Sequence, residues 1–122
     1  MIGRYMKIIL LVTGIATATM IAAFFAPGFV LGQLFVDPPT DALSLAVTRH
    51  WGVLVFCFGV LLIYAAYRRD TRKPVLIVTI LEKVVLVAGL LLLPLELQSG
   101  AYVVAASDAT FSLLYILYLA RA

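Results

Sequence analysis

Four long apolar stretches, separated by short polar segments, dominate the chain. The first runs from about Lys7 to Ala26, breaks at Pro27-Gly28 and continues apolar toward Phe35. The second extends from about Leu45 to Tyr67, and the third from Pro74, a residue suited to a first helical turn, to near Leu95. The fourth covers about Ala101 to Ala120. A helix of about 20 mainly apolar residues crosses the roughly 30 Å hydrocarbon layer of a bilayer. The pattern therefore predicts one transmembrane domain over 1–122, with spans at 7–26, 45–67, 74–95 and 101–120. The links Arg68–Lys73 and Gln98-Ser99-Gly100 are short, which makes the helices they join antiparallel neighbours. The expected fold class is all-α: an integral membrane four-helix antiparallel bundle.

Composition strengthens this reading. Of 122 residues, 65% are hydrophobic and 12% charged, against about 45–50% and about 25% in soluble domains. Mean hydropathy is +1.15. So few charges could not cover a water-soluble particle of this size.

Charge distribution sets an expected orientation. Arg4 and Lys7 precede the first span, Arg68, Arg69, Arg72 and Lys73 lie between the second and third, and Arg121 follows the fourth. Four spans put all of these on one side, opposite Asp37, Asp41 and Glu96, so the positive-inside rule makes both termini cytoplasmic. The net charge of +3 thus reads as topology signal and contact with anionic lipid, not as a nucleic-acid site. The first apolar run is taken as a retained span and not a secretory signal. Ile2 stands where N-myristoylation requires glycine. Cys57 reads as a small buried hydrophobe.

Candidate chemistry lies in the ionisable residues inside the spans: Arg49 and His50 in the second, Glu82 and Lys83 in the third, Asp108 in the fourth. An Asp, Lys or Arg costs roughly 2.5–3.5 kcal/mol at a span centre, so such groups should face one another or a hydrated cavity. Helical spacing aligns Arg49 with Gly52, Phe56, Gly59 and Ile63, and aligns Glu82 with Val78, Thr79, Leu86 and Gly89. Asp108 falls on a stripe with Ala101, Val104, Ala105, Ser112 and Tyr115. Gly14, Ala18 and Ala22 give span one a small-residue face of the kind membrane helices use for close packing. Depth estimates then favour Arg49 with Asp108, and Glu82 with His50 or, less directly, Lys83; snorkelling of Lys83 to the cytoplasm is the alternative. Tyr115 is expected to join this cluster, while Trp51, Tyr64, Tyr67, Tyr102 and Tyr118 read as an interfacial belt. Pro27-Gly28 should end or kink span one, and Pro94 should loosen the end of span three. No metal-ligand spacing, nucleophile or cofactor motif is found, so no cofactor is expected and enzyme activity is not the favoured reading.

The run Arg49-His50-Trp51-Gly52, with Gly59, the basic link after Tyr67, Glu82-Lys83 and Asp108, resembles the small four-helix bacterial membrane proteins grouped around DoxX. The resemblance implies a left-handed four-helix bundle in the bacterial inner membrane. Members serve as accessory subunits of membrane oxidoreductases, as helpers in receptor assembly, or in unassigned roles. The expected function is an accessory or assembly subunit whose partners are membrane lipids and other membrane subunits or further copies of itself. The alternative is a small transporter or hydrophobic-ligand-binding protein using the intramembrane carboxylates. Against a transporter of the small multidrug-exporter type, span one carries no acidic residue.

Overall fold

The computed structural model describes residues 5–93 and 96–121. Ile2, Arg4, Pro94 and Leu95, which entered the expectations above, lie outside the described residues. Helix α1 covers Met6–Ala18, a 3-10 turn covers Thr19–Ile21, and α2 covers Ala22–Phe25. Ala26 leaves helical geometry at φ −139°, ψ 64°, and α3 begins with Pro27 in its first turn and runs to Leu34. Proline there lacks only an amide that would be unpaired anyway. Helices α4 (Ala42–Tyr67), α5 (Arg72–Leu92) and α6 (Ser99–Arg121) follow.

Among the described residues, four helical stretches are long and apolar enough to cross a membrane: Met6–Phe25, Ala42–Tyr67, Arg69–Leu92 and Ser99–Arg121. Only 22–33% of their apolar windows is buried within the protein. Ile8, Val12 and Ile15 of α1, Leu81 and Val85 of α5, and Leu113 and Ile116 of α6 all face outward. Exposed apolar surface on this scale belongs in hydrocarbon, the setting of an integral membrane protein. Cys57 also lies on the exposed side of α4, contrary to the expected interior position.

Glycine brings α1, with the turn and α2 that extend it, against α4. A Cβ on Gly59 would stand 2.5 Å from the Ala18 amide nitrogen and 2.7 Å from the Gly14 carbonyl oxygen. A Cβ on Gly52 would meet Ala23 Cβ at 2.7 Å and the Met20 carbonyl oxygen at 2.9 Å. The order of these contacts makes α1 and α4 antiparallel. Where no hydrophobic force separates helix from lipid, close backbone approach of this kind holds helices together.

The two ends of the molecule are closed differently. At the end bearing Lys7 and Arg121, an apolar cluster of Met6, Leu10, Leu62, Ala65, Ala66 and Leu76 is sealed beside the ring of Tyr115. Arg72 is buried there, its Nε donating to the Ala65 carbonyl and its Nη2 to the Ala66 carbonyl, both at 2.9 Å. Those carbonyls belong to the last turn of α4 and have no partner within the helix. At the opposite end, Val36 donates to Glu96 at 3.0 Å and Gln98 to Leu34 at 2.9 Å, tying the chain after α3 to the chain before α6. Asp41 caps α4 by accepting from the Ser44 amide at 3.0 Å. That contact holds the Asp41 carboxyl below its ordinary value of 3.8.

Candidate functional site

The interior charges come from α5 and α6. Lys83 lies 11 residues beyond the start of α5 at Arg72, and Asp108 lies 13 residues before the end of α6 at Arg121. At about 1.5 Å per residue these are depths of roughly 16 and 20 Å from the same end, and the flexible lysine stem closes the difference. Lys83 Nζ donates to Asp108 Oδ1 at 3.0 Å and to Thr17 Oγ1 at 3.3 Å. It also sits 5.4 Å from the centre of the Phe111 ring. Lys83 is 2% exposed and Asp108 9%, so this is a desolvated pair, with each charge compensated by the other.

One helical turn below, the Tyr115 hydroxyl donates to Thr13 Oγ1 at 2.6 Å, and Thr13 Oγ1 donates in turn to the Ile9 carbonyl at 2.8 Å. A threonine hydroxyl has one proton and two lone pairs, so both bonds are satisfied at once. Between these contacts on α6 lies Ser112, whose Oγ is buried without a partner among the described residues. Thr17 and Thr13 of α1, Lys83 of α5, and Asp108, Ser112 and Tyr115 of α6 thus form one polar seam. Backbones do not close it: α1 makes its close contacts with α4, and α6 makes its own with α5 and α3. Side chains bridge the gap.

This arrangement corrects the expected pairing. Arg49 and His50 are exposed on α4, and neither makes an ion pair or hydrogen bond among the described residues. Thr48, one position earlier, shares the buried face with Gly52 and Gly59 and bonds to the Ser44 carbonyl at 2.8 Å. Lys83 takes the role assigned to Arg49, and it neither snorkels nor pairs with Glu82. Glu82 does not meet His50. Its Oε2 is buried without a hydrogen-bond partner among the described residues, and the side chain borders a groove of about 410 Å3 between α4 and α5. Tyr115 is in the seam, with no exposed surface.

Three cavities share Trp51 as a wall. One of about 180 Å3 lies over the ion pair, bounded by Thr17, Met20, Trp51, Lys83, Ser107 and Asp108, among others. A second of about 150 Å3 is lined by apolar side chains including Leu31, Leu34, Phe35 and Leu90, and it shares Trp51, Leu86 and Val104 with the first. The third is the Glu82 groove, which Trp51 also borders. Comparison with family models, with curated proteins and with solved structures finds no match to this chain. Function must therefore be argued from the geometry.

Two features lay beyond sequence reasoning. Arg72 looked like one more topology charge in a basic link, yet it is the buried clamp on the end of α4. Trp51, assigned to an interfacial belt, is instead half-buried at the junction of the cavities.

Proposed function

We propose that this chain is an accessory subunit of a larger membrane complex. In this reading it is an antiparallel four-helix bundle in a bacterial inner membrane, with both termini cytoplasmic, and the Glu82 groove seats a transmembrane helix of its partner. The observation that carries the reading is Glu82, whose Oε2 is buried without a hydrogen-bond partner among the described residues and whose side chain borders a groove with mostly apolar walls. A carboxylate at this depth needs a donor or a proton. Asp108 finds its donor within the chain; Glu82 does not. A lysine, arginine or amide from a partner helix at matching depth would satisfy it. The basic residues gathered around the Arg68–Lys73 link support the orientation. The resemblance to DoxX-like proteins agrees with an accessory role.

The test is purification from native membrane in mild detergent. A partner in fixed stoichiometry is expected, and Glu82→Leu should release it while leaving this chain folded, since Glu82 makes no hydrogen bond of its own. A solitary chain, or a partner retained equally by the variant, would overturn the reading. The transporter alternative draws on the same carboxylates, but the apolar cluster of Met6, Leu10, Leu62 and Leu76 closes the seam beyond Tyr115. Proteoliposomes should accordingly show no cation or proton flux sensitive to Glu82→Gln.

A further inference from the structure

We propose that the two adjoining cavities beside the Lys83–Asp108 pair form a binding site for a small neutral amphiphile, its hydrogen-bonding head on the ion pair and its apolar body beside α3. This proposal is independent of a partner in the Glu82 groove.

The two volumes, about 180 and about 150 Å3, together reach the lower end of the roughly 300–1,000 Å3 range of small-molecule sites. Their linings divide the site by polarity. The larger carries Lys83, Asp108, Thr17 and Ser107; the smaller is walled by Leu31, Leu34, Phe35 and Leu90. An apolar cavity of about 150 Å3 accommodates a molecule the size of benzene. The body of the ligand is therefore a single ring or a short alkyl chain, not a full lipid tail.

The charge of the head follows from the pair. Lys83 and Asp108 neutralise each other, so a cation would compete with Lys83 for the carboxylate and an anion would meet Asp108 at close range. Either would leave a charge uncompensated in a desolvated site. A neutral head leaves the pair intact and uses what it has spare. The ammonium has three N–H groups, of which two are engaged with Asp108 and Thr17. Asp108 Oδ2 accepts no hydrogen bond among the described residues, leaving an acceptor beside that spare donor. Trp51 and Ser107 also border the polar cavity, and neither the indole N–H nor the hydroxyl makes a hydrogen bond among the described residues. A head that both donates and accepts, such as a primary amide, matches this set. Entry from the bilayer is open to it, because α1 and α6 form the two lips of the polar cavity without packing closely on each other.

Trp51 is the only tryptophan in the chain and forms the wall common to both cavities; it also borders the Glu82 groove, so its fluorescence is read together with Val104→Phe, which alters the two cavities and not the groove lining. The full chain in lipid nanodiscs would be titrated with hexanamide, hexanoate and hexylammonium, which share a tail size and differ in head charge. Hexanamide is expected to change Trp51 emission saturably and to raise the thermal unfolding midpoint, with at least about tenfold tighter binding than either charged probe. Val104→Phe, which fills the shared wall, should abolish the saturable response, whereas simple partition into lipid would survive it. A response linear in hexanamide, equal binding of the charged probes, or no shift of the wild-type midpoint would overturn the proposal. If Val104→Phe does not fold, the same titration of Glu82→Leu decides it: the preference for hexanamide should persist there, and its loss would move the binding to the groove and overturn the proposal.

Discussion

The interface between α1 and α4 and the seam that joins α1 to α5 and α6 solve the same problem by opposite means. In the first, three glycines let main chains touch, and the contact atoms are mostly backbone. In the second, the backbones stay apart and a lysine, an aspartate, a tyrosine and two threonines reach across. Lipid removes the usual hydrophobic reward for helix association, leaving packing and hydrogen bonding as the two available currents of attraction. This molecule uses one on each side of α1. A backbone contact cannot accommodate an added atom. A side-chain bridge cannot lose one partner.

The strongest way to separate the two is to subtract from the seam. Lys83→Met leaves the Asp108 carboxylate buried and alone, and should destabilise the protein by about 3–5 kcal/mol. The double variant Lys83→Met/Asp108→Leu removes both charges and should recover most of that loss. Reversible unfolding in mixed micelles would measure both, and equal damage by single and double variants would show that the pair is not the relevant unit. Adding to the other interface comes next. Gly59→Ala should cost about 3 kcal/mol, at the upper end of the usual about 1–3 kcal/mol for overpacking, because the obstructing atoms are backbone. Gly89 has nothing within 4 Å of its would-be Cβ, so Gly89→Ala should be neutral or stabilising by up to about 1 kcal/mol. Similar losses at both glycines would refute the backbone-contact account.

The smallest effect lies outside both interfaces, at the Asp41 cap. Its carboxyl titrates below 3.8 when folded, so its contribution is fully present above that value and fades as pH falls through the lowered one. Asp41→Asn retains a capping side chain and should flatten this acid limb of the unfolding midpoint, while leaving the Lys83 and Gly59 effects unchanged.

The four apolar helices were legible because their length and composition overwhelm local detail; observed bounds lie within a few residues of expectation. The Asp108 stripe was legible too: Ala101, Ala105, Ser112 and Tyr115 are all buried with it. The facing of α5 was not. Thr79 stands three residues before Glu82 and four before Lys83, so helical spacing assigns it equally well to either. Gly89, on the stripe with Glu82, borders open space and not a packed helix. The same ambiguity separates Thr48 from Arg49 relative to Gly52. Period alone cannot choose between adjacent residues; the partner across the interface chooses. Arg72 was illegible for another reason, since its burial depends on the 3-10 turn at Arg69–Thr71 returning the chain beneath α4.

Opposite charges on consecutive residues of α5 give that helix a built-in angular reference. A rotation of about 100° about its own axis would withdraw Lys83 and present Glu82 to Asp108, replacing attraction with repulsion between two carboxylates. A smooth apolar cylinder in lipid has many nearly equivalent azimuths; this one has a single orientation that its neighbour will accept, written in two adjacent letters.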